Sequence, residues 1–359
     1  MDKAGMVFEQ SQMPESEVLR HFRIFKTPPA GFDVTTADER ELLLHNLPQR
    51  PNAQTHPRLA AKWRRISEQR LTFITPELRV IPTLRRQVDY DLIKRREDLE
   101  AELTRYRDKH LYRGVSDRIR DFGDIEKILQ LIPETSTNWS GAYVKRPAAE
   151  QLLSVTGEWI VPNVSPPASA WNGKSYNDGT YICSVWVGLD GWQGTNDVLQ
   201  AGTISQCVVS GGKVTSTTFY AWTEWFSLPW VSISNFPIQV GDSVLCTVCA
   251  PFGNTHGTAM FVNQSTGATT SIGINPPAGT SLVGNVAEWI VEDPGQIGGG
   301  LFPFPNYGST TFTECTAGSK TVELDLDSAK EIDLVDAANN VLSSGSIESR
   351  RTLLCRYGS

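Results

Sequence analysis

The sequence predicts a mainly β chain, an antiparallel β-sandwich or barrel preceded by a helical N-terminal segment, and three observations carry that expectation. Composition changes near residue 137: residues 1 to 137 hold 24 Lys+Arg and 22 Asp+Glu with no Cys, while the remainder holds 9 and 18 with all six Cys. Beyond Asn138, Thr, Ser, Val and Trp dominate, and Gly, Pro and Asn punctuate short alternating runs roughly every 8 to 12 residues. Before that point, apolar residues recur at helical spacing within a charged background. The 220 or so residues of the second part suit one large sandwich, so the division expected is a helical region over 1–136 and a β-sandwich over 137–359.

In chain order, the first 50 residues carry Pro14, Pro28, Pro29 and Pro48 among mixed charges and read as an extended leader. A helical pattern begins at Pro57. Leu92, Leu99, Leu103 and Tyr106, then Ile119, Phe122, Ile125, Ile128 and Leu131, continue it as two to four amphipathic helices ending at Pro133. Strands are expected over 157–161, 181–189, 217–226, 243–250 and 258–262, at 286–293, and in the tail near 321–326 and 351–357. Gly298 to Asn306, with Phe302 and Phe304 interleaved, reads as a mobile loop at one end of the sheet.

The net charge of -7 is the sum of +2 and -9 for the two parts, and the bases of the first part are matched by acids along the same segments. A nucleic-acid partner is therefore not expected. No stretch approaches the roughly 20 apolar residues of a membrane span, and the N-terminus shows no apolar signal-peptide core. The six cysteines allow up to three disulfides, with nothing to select among 15 pairings.

Elimination narrows the chemistry. The second part contains a single histidine, His256, in a turn-like segment, so Ser-His or Cys-His arrangements have one residue on which to draw. Cys246-x-x-Cys249 lacks a second pair at zinc spacing, and no phosphate-cradling Gly-Lys-Ser/Thr loop occurs. Carboxylates and carboxamides remain. In Val286 to Asp293, read at period two, Glu288, Ile290 and Glu292 share one face and Ala287, Trp289 and Val291 the other. By the same parity Trp186 and Asp190 share a face roughly 13 Å apart, Trp222, Glu224 and Phe226 line up, and Gln200 sits beside Gly202, whose bare backbone invites a close approach. If these strands are neighbours, one face gathers two Trp, two Glu, one Asp and one Gln, the make-up of a polypeptide or polysaccharide groove.

The ordered blocks Asn138-Trp139-Ser140-Gly141-Ala142, Val185 to Gly191, Val198-Leu199-Gln200-Ala201-Gly202, Ala221-Trp222-Thr223-Glu224-Trp225 and Ala287 to Asp293 resemble those of the glutamic peptidases, or eqolisins. This resemblance spans about residues 138–357. It implies a concanavalin-A-like double-sheet antiparallel sandwich, endopeptidase activity in acid on polypeptide substrates, and no cofactor or metal. The Gln and Glu for which the family is named fall on Gln200 and Glu288; Trp139, Trp186, Asp190, Trp222 and Glu224 fall in blocks that would supply the groove wall and support. The family's Asp four residues after the Gln is Ile204 here, and its frequent Tyr after the Glu-Trp pair is Phe226. Family members are typically exported, whereas no signal peptide is visible, so the compartment stays open. Two other classes fit the Trp-rich β composition: a carbohydrate-binding sandwich, and a glycoside hydrolase using two of Glu224, Glu288 and Asp190. The N-terminal region is expected to be a propeptide that covers the groove near neutral pH and leaves in acid.

Overall fold

A computed structural model describes residues 13–85, 133–147, 150–192, 197–250, 256–296 and 299–358. The helices expected between Leu92 and Leu131 lie outside the described residues. Two sheets pack face to face. The first runs, strand beside strand, through Phe22–Ile24, Ala268–Ile274, Gly257–Asn263, Ser243–Cys249, Ser154–Ile160 and Ser309–Gly318. The second runs through Leu78–Val80, Val231–Ile233, Lys213–Trp225, Leu199–Ser210, Gly179–Leu189, Val286–Glu292, Trp139–Lys145, Lys330–Val335, Val341–Ser349 and Thr352–Tyr357. All of these pairings are antiparallel. Ser309–Gly318 belongs to both sheets: its start pairs with Thr352–Tyr357 and its end with Ser154–Ile160, after a bulge at which Glu314 takes a positive φ of 56°.

Alternation along each strand sends apolar side chains into the space between the sheets. Val185, Val187, Leu189, Leu199, Ala201, Trp225, Ala287, Trp289 and Val291 all belong to that core, and two indoles tie the layers together. Trp159 Nε1 donates to Thr203 Oγ1 at 2.9 Å and Trp289 Nε1 to the Thr156 carbonyl at 2.9 Å, so each buried N–H keeps a partner. The opposite parity builds a second apolar cluster on the outer face of the second sheet, with Trp139, Tyr143, Trp186, Trp222, Trp230 and Ile290.

The described N-terminal part is not simply helical. Pro57–Ser67 is a helix with Pro at its first turn, as expected, but the supposed extended leader contains a further helix, Glu39–Leu44. Asp38 accepts from the Glu41 N–H while the Glu41 carboxylate accepts from the Asp38 N–H, a capping box legible as Asp-x-x-Glu. These helices cover the outer face of the first sheet, where Leu42, Leu47 and Ile66 pack with Leu245, Met260 and Val262. Short strands add to sheet edges: Phe22–Ile24 and Thr72–Phe73 to the first sheet, Leu78–Val80 to the second. Edge strands present unpaired N–H and C=O groups, and this chain satisfies them with its own N-terminal region. Among the described residues, no helix is long and apolar enough to cross a membrane.

All six cysteines are free thiols, so the disulfides that the composition allowed are absent. Cys183 stands opposite Ser205 and Cys207 opposite Tyr181, a diagonal relation that spans roughly 7–8 Å where a disulfide needs about 4.4–6.8 Å between Cα atoms. Cys246 and Cys249 are three residues apart on one strand and so point to opposite faces.

Candidate active site

Register brings the predicted carboxylate and carboxamide into one row. Across adjacent strands, Tyr143 stands opposite Glu288, Glu288 opposite Gly188, Gly188 opposite Gln200, and Gln200 opposite Glu224. Directly opposite residues of an antiparallel sheet share a face, so Tyr143, Glu288, Gln200 and Glu224 all project to the outer face of the second sheet. Glu288 and Gln200 are thus two strands apart, roughly 10 Å between backbones, with a residue lacking a side chain between them. A Cβ on Gly188 would lie 2.8 Å from Trp186 Cζ3 and 3.3 Å from Gln200 Cβ, so only glycine leaves Trp186 and Gln200 where they are.

Glu288, Gln200 and Glu224 are fully buried, an expensive place for carboxylates. The Gln200 amide is oriented by its neighbour: Nε2 donates to Glu224 Oε2. A carboxylate only accepts, which decides which end of the amide faces Glu224. Gln200 Oε1 then points away and carries no hydrogen bond among the described residues.

The next rows build the wall. Trp186 sits opposite both Ile290 and Gly202, and Gly202 opposite Trp222. Trp186 Nε1 donates to Glu292 Oε2 at 2.8 Å and Trp222 Nε1 to Ser184 Oγ at 2.8 Å. Trp139 meets Trp186 edge-on at 4.9 Å between centroids, and Trp222 stacks flat on Trp230 at 3.7 Å. The open backbone expected at Gly202 for a ligand is instead filled by the adjoining strand: a Gly202 Cβ would lie 2.1 Å from the Val185 carbonyl oxygen and 2.5 Å from Trp186 Cβ.

Asp190 leaves the row. It follows the end of its strand with φ 63°, and its carboxylate accepts from the backbone N–H of Val283, Gly284 and Asn285 at 2.6, 2.7 and 2.6 Å. Burial pushes its pKa up while these N–H bonds pull the other way. Asp190 fixes the turn that feeds the Glu288 strand rather than lining a groove. His256 immediately precedes Gly257–Asn263, an interior strand of the first sheet; burial and the charge of Arg23 lower its pKa, and it takes no part in the row.

Two neighbours of the row were not singled out from sequence. Glu292 shares the parity of Glu288 and lay in the same run; Tyr143, four residues after Trp139 on one strand, shares its face, and its hydroxyl donates to Glu134 at 2.9 Å. Parity was the available signal for both. The carboxyl of Asp293 is also buried, and burial together with adjacent Glu292 raises its pKa well above the ordinary range. The folded state therefore holds a proton there that the unfolded chain releases above about pH 4, so this contribution to stability is complete in acid and is lost as pH rises through the folded value. Asp293→Asn is expected to raise the melting temperature at pH 7 by a few degrees, at roughly 2–4 °C per kcal/mol for a domain of this size, and to leave it unchanged at pH 3. Thermal melts of both proteins at the two pH values check this.

The N-terminal region reaches the same face. Leu78–Val80 pairs with Val231–Ile233, the Ile81 N–H donates to the Trp230 carbonyl at 2.8 Å, and Leu84–Arg85 pairs with Gly295–Gln296. Leu84 is 2% exposed and belongs to the aromatic cluster beside the row; Ile81 and Phe302 pack against that cluster. The loop expected over 298–306 thus bears, through Phe302, on the site itself.

Comparison with known proteins follows the same geography. The model of the Peptidase A4 family matches residues 137–357. The chain is 34% identical over 201 residues to aspergillopepsin-2 of Aspergillus niger, covering 53% of this chain and 67% of that protein. It is 28% identical over 227 residues to scytalidopepsin B of Scytalidium lignicola, covering 62% and 78% respectively. Among solved structures it resembles scytalido-glutamic peptidase with a peptide-based transition state analog, with a TM-score of 0.51 and 25% identity over 62% of this chain and 98% of that one.

Proposed function

Because this chain belongs to the Peptidase A4 family, we propose that it is a glutamic endopeptidase active in acid, with Glu288 and Gln200 as its dyad and residues 1–136 as a propeptide. The observation that carries the dyad is the shared row: Glu288 and Gln200 flank Gly188 on one face, and Glu224 holds the Gln200 amide in one orientation. Peptide hydrolysis needs an activated water, a donor to the oxyanion and a proton for the leaving amine. Glu288 as carboxylate takes a proton from a water lying between it and Gln200, and the hydroxide attacks the substrate carbonyl. The Gln200 N–H not engaged by Glu224 donates to the oxyanion, and its carbonyl oxygen orients the water. Glu288 then returns the proton to the departing nitrogen. A carboxylate base works best near its own pKa, about 4.3 for an unperturbed Glu, which sets the activity in acid.

The sugar readings lose ground on geometry. Glu224 and Glu288 stand three strands apart, roughly 14 Å between backbones, and Glu224 is engaged by Gln200, while Asp190 is engaged by a turn.

Support for the propeptide comes from the charges that fasten residues 13–85 to the sandwich. Arg58 pairs with Glu323 and Asp325, and Arg65 with Glu158 at 2.8 Å. Lys62 is buried with its ammonium donating to the Glu314 carbonyl at 2.5 Å. Burial lowers its pKa to about 8, against the opposing pull of Glu314 and Glu158. A base whose folded pKa is depressed from 10.5 to about 8 contributes its stability at high pH and loses it as pH falls to about 8. Below that, a buried cation costs roughly 3 kcal/mol, so Lys62 weighs against the attachment at every pH below about 8. Lys62→Met keeps the apolar stem and removes the charge. At pH 3 to 4 the full chain is expected to lose its N-terminal region, and Lys62→Met to lose it at least about tenfold more slowly, followed by mapping new N-termini over time. Equal rates, or full activity with no processing, would count against this role.

A further inference from the structure

We propose that the cleft on this face takes an extended peptide by strand addition to Val231–Ile233 and Gly295–Gln296, and selects a large aliphatic side chain at the position Leu84 occupies. This rests on the reading of the outer face as the peptidase cleft, and names the substrate class that it admits.

The N-terminal segment supplies the template. Its backbone is bound as an added strand: Leu78, Arg79 and Val80 pair antiparallel with Ile233, Ser232 and Val231, the Ile81 N–H reaches the Trp230 carbonyl, and Leu84 and Arg85 pair with Gln296 and Gly295. Main-chain pairing of this kind is indifferent to sequence, and pockets for individual side chains supply the selection. Between Leu78 and Leu84 only one side chain is fully enclosed: Arg79, Pro82 and Thr83 are exposed, Leu78, Val80 and Ile81 are half-buried, and Leu84 is 2% exposed. The cluster that encloses it is built from Trp139, Tyr143, Trp186, Trp222, Trp230 and Ile290. The indole N–H groups of Trp186 and Trp222 are already committed to Glu292 and Ser184, so these two rings offer carbon to whatever lies against them. Such a wall rewards apolar area and penalises a charged side chain, which would leave water without compensation. Full burial of a leucine-sized group corresponds to a preference of about ten- to a hundredfold in affinity.

The test uses the full chain carrying Leu84→Gly, which vacates the position, and Leu84→Ala as a milder second variant, each checked for native near-ultraviolet circular dichroism. The probe is the capped octapeptide of residues 78–85 and its counterpart with the Leu84 residue replaced by Asp, titrated against tryptophan fluorescence. The leucine peptide is expected to bind at least about tenfold more tightly than the aspartate peptide, to either folded variant; equal binding, or none, overturns the proposal. In parallel, the wild-type full chain digests a denatured protein at pH 3 to 4 and the cleavage sites are sequenced, with Leu, Ile or Met expected at one fixed position about tenfold over Asp or Gly. Glu288-dependent cleavage without such a position overturns the aliphatic selection and leaves the peptidase reading standing. Selective peptide binding without cleavage upholds the cleft and overturns the chemistry.

Discussion

Glu288→Gln is expected to lower peptide hydrolysis in acid by about 10²- to 10⁴-fold, the range supplied by a positioned general acid–base group. The substitution keeps the side chain's shape but removes its capacity to take a proton from water. The loss should fall on kcat with KM little changed, because the carboxylate acts on the water rather than on the substrate's side chains. Glu292 supplies the internal control. It lies four residues along the same strand and face, equally buried, but its Oε2 accepts from Trp186 Nε1. Glu292→Gln retains a carbonyl oxygen to accept that bond, so its effect on turnover should stay within about tenfold. Steady-state kinetics on a denatured protein at pH 3 to 5, with circular dichroism to certify folding, separates the two. Wild-type turnover in Glu288→Gln would sink the assignment, and an equal loss in both variants would move the chemistry away from one particular carboxylate.

That control is available because strand parity can be read without a structure. Glu288, Ile290 and Glu292 on one face and Trp289 and Val291 on the other follow from period-two alternation alone, and the fold obeys it: Trp289 enters the inter-sheet core while Ile290 joins the outer cluster. Register cannot be read in the same way. Nothing in the sequence states that Gly188 separates Glu288 from Gln200, because that depends on which strands become neighbours and how far each slides, which the pairing of whole strands decides. Asp190 shows the cost of parity used past a strand end: a positive φ turns it out of the pleat and onto three backbone N–H groups. Gly202 shows another limit, since a missing side chain admits the backbone of the neighbouring strand, at Val185 and Trp186, as readily as a ligand. The short N-terminal strands carry no alternating pattern long enough to detect, because two or three residues are extended there only through the sheet edge beside them.

Gln200→Ala is expected to reduce turnover by about 10²- to 10³-fold, as for removal of an oxyanion donor, and Gln200→Glu distinguishes that role from mere occupancy of space. Alanine leaves Glu224 buried without the amide that donates to it, so some stability is lost alongside activity. Glutamate restores the volume and, once protonated, an O–H donor, yet when ionised it faces the Glu224 carboxylate directly across the strand pair. Two facing carboxyls share a proton rather than both ionise, so the donor in Gln200→Glu exists only at low pH. Its turnover relative to the native protein should therefore climb as pH falls and collapse toward the alanine variant as pH rises, whereas Gln200→Ala should show a constant deficit across the same range. Profiles between pH 2 and 6 read this directly. If Gln200→Glu runs parallel to Gln200→Ala at every pH, the amide contributes packing rather than a proton donor. The Glu288 base would then need its oxyanion partner elsewhere on the row.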